Sequence, residues 1–237
     1  MKYERQFQVF STDTGHNGKV RPAAFLQYFQ QIAGNHMRAE GPTYAELFAR
    51  GLAFVLSRLH VQWYRPLTEY ADITVQTWTC LEKGASFGRG YRVMCDGETV
   101  AEAMAVWALL NVNEGRLMRV DEVDFHYSGD EPLEIPCRFA LVRVPLTEVM
   151  TRTVLYEDVD CNGHLNNARY ADWLCNCIPA IDRLTVTDLQ LHYVKEARLG
   201  ETVTIWYGTA DDGATHVFET RLANGECNVR AIIKTKE

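Results

Sequence analysis

The sequence has little of several features that would place it in other protein classes. It has 24 Lys and Arg against 31 Asp and Glu, with a formal net charge of -7. It therefore lacks the basic surface that nonspecific nucleic-acid binding needs. The longest uncharged apolar run, residues 103–110, is far shorter than a membrane span. No apolar segment of the signal-peptide type follows the charged N-terminus. We expect a cytoplasmic protein without a nucleic-acid or membrane partner.

Regularly spaced cysteine pairs are also lacking. The chain has seven cysteines, an odd number, and no Cys-x-x-Cys pair. Scattered thiols of this kind are typical of reduced residues in a cytosolic protein. Hydrophobic residues make up 47% of the 237 residues, which is enough for a packed core. The length is comfortable for two small domains.

A duplicated pattern of elements is present. Segments 59–65 and 189–195 align without gaps at an offset of 130, and the strand-like segments after them keep that offset. Hairpin-type turn dipeptides, Asp-Gly at 96–97 and Asn-Gly at 224–225, lead into a strand-like run in each half. Upstream, each half shows a strand, a loop rich in Gly and Asn, and then a helix. This order predicts two copies of one unit.

Local patterns position the helices. The first helix should begin near Pro22, a favourable first-turn residue. The second should begin near Asn166 and Asn167, which are natural N-cap residues, and Pro179 should end it early. Alternating strands follow the first helix. One long helix against a strongly bent antiparallel sheet is an α+β architecture, the hot-dog fold. We therefore predict two tandem hot-dog domains that form an internal pseudo-dimer with a continuous sheet. The predicted parts are an N-terminal domain (1–125), a linker (126–145) and a C-terminal domain (146–237).

The richest polar cluster is the segment 157–167, between a predicted strand and the second helix. Asp160, Asn162 and His164 alternate along it, so their side chains can project into one cleft. The repeat places a second carboxylate, Glu196, on the strand after the helix. The helix start offers N–H groups for an oxyanion. Thioester hydrolysis needs a base or nucleophile, oxyanion donors and access for water, and this set supplies all three.

The first half is an internal control for this interpretation. Its loop 13–18, which starts at Asp13, echoes 160–164 but is longer by about two residues. Pro66 stands at the position of Glu196 in the repeat. We therefore expect one working centre, in the second half, with Asp13 and His16 as structural remnants.

Simpler interpretations exist for single residues of the cluster. The start of an EF-hand calcium loop is matched from Asp158, but position 12 is Arg169 instead of Glu, so no metal is expected. The simpler role for Asn166 and Asn167 is to cap the helix, without any part in the chemistry. Taken alone, Glu196 beside Lys195 reads as a surface ion pair of little energetic value. Cys161 has no evident partner that would activate it as a nucleophile.

The whole segment 158–170 resembles the signature of the acyl-ACP thioesterases of plants and bacteria. That pattern is Asp-x-Asp-x-Asn-x-His-x-Asn-Asn-x-x-Tyr, and every fixed position is met. The segment 193–196 resembles a later strand of the family, with Val194 in place of a usually basic residue. The segments 57–61, 77–78, 97–98 and 105–107 of the first half also resemble the family, so the similarity covers nearly the whole chain.

This resemblance implies a double hot-dog fold that hydrolyses fatty acyl-ACP to free fatty acid and holo-ACP. It implies an acyl tunnel mainly in the N-terminal half and catalytic positions at Asp160, Asn162, His164 and Glu196. In the expected roles, Asp160 is the nucleophile or base, Asn162 and His164 position it and polarise the thioester, and Glu196 orients water or acts as an alternative base.

The expected partner is acyl carrier protein, with Arg169, Lys195 and Arg198 as candidate contacts for its acidic surface. No cofactor is implied, and both a monomer and a homodimer are compatible with the duplication. Three alternatives remain open: an acyl-CoA thioesterase, a non-catalytic acyl-binding protein, and a hot-dog dehydratase, for which no second set of residues is evident. The preferred acyl chain length of the substrate does not follow from the sequence.

Overall fold

A computed structural model describes residues 2–237 and shows one antiparallel sheet of eleven strands with three α-helices. The strands are β1 (Tyr3–Gln8), β2 (Leu52–Trp63), β3 (Asp72–Lys83), β4 (Ser86–Cys95), β5 (Glu98–Asn111), β6 (Arg116–Met118), β7 (Thr147–Thr153), β8 (Thr185–Tyr193), β9 (Thr202–Thr209), β10 (Thr215–Leu222) and β11 (Cys227–Lys236). The helices are α1 (Pro22–Glu40), α2 (Tyr44–Ala49) and α3 (Arg169–Cys175). Within the described chain, none of these helices has both the length and the apolar character that crossing a bilayer requires.

The strand order shows the duplication directly. The sheet runs β1-β3-β4-β5-β2-β8-β11-β10-β9-β7, so the second half repeats the first in reverse order across the β2–β8 junction, and β6 is added beside β5. At this junction His60 faces Gln190, the residue 130 positions further along the chain. A pseudo-twofold axis therefore passes between these two residues, in agreement with the sequence offset. The predicted double hot-dog fold with a continuous sheet is confirmed.

The two copies differ most in their helices. Helix α1 has 19 residues and begins at Pro22, as the sequence predicts. Helix α3 has only seven and begins at Arg169, so the predicted start at Asn166 and Asn167 is wrong. The reason is a separate turn before the helix. The side-chain oxygen of Asn166 accepts a hydrogen bond from the Ala168 N–H, and the backbone carbonyl of Asn166 accepts one from the Arg169 N–H, both at 2.9 Å. Pro179 disfavours helical backbone at Ile178, which is consistent with the early end.

The largest buried apolar cluster of the described residues joins the halves. Its members include residues of α1, α3 and the central strands of both copies: Phe25, Trp63, Tyr170, Trp173, Leu189 and Leu191. Full burial of one large apolar side chain contributes about 1.5–3 kcal/mol, so each half stabilises the other.

The segment 124–146 contains neither helix nor strand, yet it is held against the sheet. The indole N–H of Trp78 donates to the Glu131 carbonyl at 2.9 Å. Further along, His60 Nδ1 lies 2.9 Å from the Pro136 carbonyl, and Gln190 accepts a hydrogen bond from the Ala140 N–H at 3.1 Å. The connection between the halves therefore passes over the pseudo-twofold axis, where His60 and Gln190 fix it.

Candidate active site

The loop that carries Asp160, Asn162 and His164 is closed by backbone contacts. The N–H of Asp160 donates to the His164 carbonyl at 2.9 Å, and the N–H of Gly163 donates to the Asp160 carbonyl at 3.0 Å. Gly163 has a φ of 75°, a left-handed value that favours glycine. The Asp160 carboxylate accepts a hydrogen bond from the Asn162 N–H at 2.8 Å. This compact turn holds the three polar side chains within one short segment.

Glu196 reaches this loop from the chain segment after β8. His164 forms an isolated β-bridge with Arg198, and the Leu165 N–H donates to the Ala197 carbonyl at 2.7 Å. As a result, His164 Nδ1 lies 3.1 Å from a Glu196 carboxylate oxygen. The other Glu196 oxygen lies 3.4 Å from the Arg198 guanidinium. The structure thus joins His164 to Glu196, while Asp160 bonds to the backbone of Asn162.

Tyr44 is a site residue that sequence reasoning missed. It lies at the start of α2 in the first half, and its hydroxyl donates to the side-chain oxygen of Asn162 at 2.7 Å. Partial burial raises the pKa of Tyr44, and nearby Cys161 and Asp160 add to the rise, so the hydroxyl stays protonated and remains a donor. Because the Tyr44 hydroxyl is bonded to the amide oxygen of Asn162, the amide N–H₂ group faces away from Tyr44. A capping box at Thr43 predicts the helix, but no local signal connects Tyr44 with Asn162.

Two of the expected oxyanion donors at the helix start are already engaged. The N–H groups of Ala168 and Arg169 are bonded to Asn166. The side chains of Asn162 and His164 are further candidate donors for an oxyanion. The expected role of the helix N-terminus is thus not filled by these two N–H groups, because the turn before α3 uses them.

The basic residues near the site are largely engaged. Lys195 pairs with Glu226, so the ion pair between Lys195 and Glu196 is not formed. Arg198 lies beside Glu196, and the Arg169 guanidinium donates to the Glu157 carbonyl at 2.8 Å. Only Arg169, of the three candidate contacts for a carrier protein, is without a carboxylate partner among residues 2–237.

The first-half loop has the same backbone as the candidate catalytic loop. The Gly15 N–H donates to the Lys19 carbonyl at 2.8 Å, and the Gly18 N–H donates to the Gly15 carbonyl at 3.0 Å, matching the bonds of Asp160 and Gly163. Gly18 also has a positive φ, 72°. The residues that stand where Asp160, Asn162 and His164 stand in the second half are Gly15, Asn17 and Lys19.

This register corrects the comparison made from sequence. The carboxylate of Asp13 accepts a hydrogen bond from the Phe10 N–H at 3.1 Å, and that of Asp158 accepts one from the Leu155 N–H at 3.0 Å. Asp13 is thus the counterpart of Asp158, and the two loops are equal in length. The expectation that Asp13 echoes Asp160 in a longer loop is wrong, because residue identity was matched instead of backbone bonding.

Three cavities surround these elements. An apolar cavity of about 60 Å³ lies in the first half among side chains that include Ala33, Phe54 and Phe87. A void of about 10 Å³ lies between Trp107 and Asn167, and Trp107 also lines the first cavity. A cleft of about 480 Å³, larger than either of these, adjoins the first-half loop and is not lined by Asp160, Asn162, His164 or Glu196.

The sheet contains two copies of the hot-dog unit, and one copy carries a loop with a carboxylate, an amide and an imidazole. The chain is therefore a double hot-dog protein with a single candidate centre. Residues 1–125 match the profile of the acyl-ACP thioesterase N-terminal domain, and residues 146–237 match that of the acyl-ACP thioesterase C-terminal domain. The chain belongs to the acyl-ACP thioesterase family.

Known proteins with similar sequence agree with this assignment. The oleoyl-acyl carrier protein thioesterase 2, chloroplastic, of Arabidopsis thaliana is 26% identical over 85% of this chain and 61% of its own length. The palmitoyl-acyl carrier protein thioesterase, chloroplastic, of that plant is 23% identical over 82% of this chain and 52% of its own length. The chain therefore spans between about half and two thirds of these relatives.

Solved structures share the fold over the full chain. An acyl-ACP thioesterase from Bacteroides thetaiotaomicron superimposes with a TM-score of 0.90 at 23% identity, covering 99% of this chain and 98% of its own. The 12:0-ACP thioesterase from Umbellularia californica gives a TM-score of 0.83 at 19% identity, covering 99% and 97%.

Proposed function

We propose that this protein hydrolyses the thioester bond of fatty acyl-ACP and releases free fatty acid and holo-ACP. The observation that carries the proposal is the placement of Asp160, Asn162, His164 and Glu196 together, with His164 Nδ1 3.1 Å from Glu196. The family supports the same reaction.

The four side chains divide the reaction between them. Asp160 acts on the acyl carbon as nucleophile, or as the base that takes a proton from water. The Asn162 N–H₂ group stabilises the oxyanion, because Tyr44 holds the amide oxygen. His164, oriented by Glu196 through Nδ1, has Nε2 available to protonate the departing thiolate. With Asp160 as base, it takes a proton from water, the hydroxide adds to the acyl carbon, the C–S bond breaks, and the thiolate takes a proton from His164, which the proton held by Asp160 then replaces. With Asp160 as nucleophile, its carboxylate adds to the acyl carbon, the C–S bond breaks, and the thiolate takes the His164 proton. Water then hydrolyses the acyl-Asp160 anhydride, releases the fatty acid and returns a proton to His164.

The acyl chain is accommodated in the first half. The void beside Asn167 and the cavity lined by Phe54 and Phe87 share the wall of Trp107, so they lie in series away from the catalytic loop. We assign acyl binding to residues 1–125 and chemistry to residues 146–237, with 126–145 as the linker between them. Because these cavities are small, side chains must move to admit a long chain.

Acyl carrier protein is the proposed partner, and acyl-CoA the alternative carrier. The relatives named as acyl-carrier-protein thioesterases support the former. All seven cysteines are free, which supports a reducing compartment such as the cytoplasm. Because the fold already pairs two hot-dog units, one chain is sufficient for activity.

The decisive test is thiol release from acyl-ACPs and acyl-CoAs of several chain lengths. We expect wild type to turn over acyl-ACP and Asp160→Ala to lose this activity, with exposed Asp211→Ala as the matched control. A burst of thiol ahead of fatty acid that persists in Cys161→Ala would support Asp160 as the nucleophile rather than the base. Turnover of acyl-CoA alone would overturn the carrier assignment. No turnover with fatty acid still bound would indicate a binding protein.

A further inference from the structure

A cleft lies beside the first-half loop, in the copy without the proposed catalytic residues, and is also lined by residues of the second half. Its volume of about 480 Å³ lies within the range of small-molecule sites, roughly 300–1,000 Å³. It is bounded on one side by the first-half loop and on the other by α3 and the segment 181–186. The first-half loop that borders it is the counterpart, across the pseudo-twofold axis, of the candidate catalytic loop.

The difference in helix length accounts for the open space. The catalytic loop faces the first half, where α1 has 19 residues and Tyr44 of α2 bonds to Asn162. The first-half loop faces α3, which has seven residues and is followed by a 3₁₀ turn at Ile181–Arg183 in place of a second α-helix. Because α3 is shorter than the helices that face the catalytic loop, the cleft beside the first-half loop stays open.

The equivalents of the catalytic residues in this cleft are unsuited to hydrolysis. Gly15 and Lys19 stand where Asp160 and His164 stand in the other copy, and Pro66 replaces Glu196. A base, an imidazole and its orienting carboxylate are therefore absent from these three positions. His16 and Asp158 also line the cleft, but neither stands at the position of a proposed catalytic residue.

The walls combine apolar surface with cations. Phe25, Trp63 and Trp173 form a buried apolar floor. Lys19 Nζ donates to the Thr185 hydroxyl at 2.6 Å, and the Arg152 guanidinium lies 4.4 Å from the Trp173 ring centroid. Neither cation has a carboxylate partner among residues 2–237.

The carboxylates that line the cleft are paired, engaged by the backbone or exposed, so an anion can bind beside the cations. Asp172 is 3.3 Å from Arg21, and Asp158 accepts the Leu155 N–H at 3.0 Å. Glu157 and Asp182 are exposed at the rim. Of the four carboxylates that line the cleft, two are thus exposed, one is paired with an arginine, and the buried one, Asp158, is engaged by a backbone N–H.

We propose that this second cleft binds a long-chain carboxylate. The head group would accept charge-assisted hydrogen bonds from Lys19 and Arg152, and the chain would lie along Trp63 and Trp173. This proposal rests on the proposed function only in naming the ligand as the released product. Such a site would let product accumulate on the enzyme away from the catalytic loop.

The test uses dodecanoate with a terminal bromine, which quenches nearby tryptophan fluorescence. The background is Asp160→Ala with Trp107→Phe, which removes turnover and the tryptophan of the proposed acyl channel. We expect saturable quenching in this protein, and dissociation constants for the unbrominated acids, measured by competition, that fall about fourfold per added methylene.

Variants assign the signal to the cleft. Arg152→Gln and Lys19→Gln should each weaken binding about tenfold or more, because a hydrogen bond to a charged group is lost. Arg183→Gln, an exposed arginine nearby, should bind as before. Trp63→Phe with Trp173→Phe should remove most of the quenching. Unchanged affinity in both cation variants, or quenching that disappears with Trp107→Phe alone, would overturn the proposal without affecting the proposed hydrolysis.

Discussion

Substitution of Tyr44 by Phe tests whether the first half positions a catalytic group of the second. The change removes only the hydroxyl that donates to the Asn162 amide oxygen at 2.7 Å. Without it, the amide can rotate and present its oxygen where the oxyanion forms. We expect kcat to fall while KM stays nearly unchanged, because the lost contact acts on the transition state.

The size of the effect follows from the contact. Tyr44 is 37% exposed, so its hydrogen bond has a net value of about 1 kcal/mol, in the middle of the usual range. That free energy corresponds to about a fivefold preference for the productive amide orientation. Removal of the amide itself, in Asn162→Ala, should cost about a hundredfold or more in kcat, as for other oxyanion donors.

Steady-state thiol release with acyl-ACP measures both effects, and Tyr70→Phe, another exposed tyrosine, is the control. Because Tyr44 acts through Asn162, the Tyr44→Phe change should have little further effect in an Asn162→Ala background. Full additivity of the two losses, or an unchanged kcat in Tyr44→Phe, would refute the assigned role.

Three further predictions concern pH, reactivity and specificity. Burial and the neighbouring Arg89 lower the pKa of His36, so the unfolded chain binds a proton at this residue more readily than the folded chain. The contribution of neutral His36 to the free energy of unfolding is therefore lost as pH falls below about 6.5. In urea unfolding, the difference in free energy of unfolding between pH 7 and pH 5 should be smaller for His36→Gln than for wild type. Cys161→Ala should keep nearly full activity, since this exposed thiol has no role in the proposed chemistry; a large loss of kcat would show otherwise. Ala33→Leu should fill part of the cavity of about 60 Å³ and shift the preference toward shorter acyl chains in a panel of acyl-ACPs.

The regular elements were predictable because their signals are local. The Asp-Gly pair at 96–97 forms the tight connection between β4 and β5, with positive φ values of 55° and 79°, as its residue types indicate. The offset of 130 between the halves needs only a gapless comparison of strands, and the facing pair His60 and Gln190 shows why it holds. Alternation along 160–164 was sufficient to group three site residues.

The remaining features depend on contacts between distant parts of the chain. Tyr44 is 118 positions from Asn162, and no periodicity or motif relates them. The start of α3 depends on whether Asn166 caps a helix or closes a separate turn, and both use the same residue type. The correspondence of Asp13 with Asp158 becomes visible only through backbone hydrogen bonds.

The equal backbones of the two loops separate the scaffold from the chemistry. Each loop is fixed by a glycine with positive φ, at Gly18 or Gly163, and by an aspartate that caps the preceding turn. Neither device uses the side chains at Asp160 or His164, so these could differ between copies without changing the fold. A Cβ built on Gly15 would meet nothing closer than 3.4 Å, which shows that an aspartate there is not excluded by backbone space. Lack of room therefore does not explain the missing carboxylate of the first copy, and the same backbone borders the cleft for which we propose a binding role.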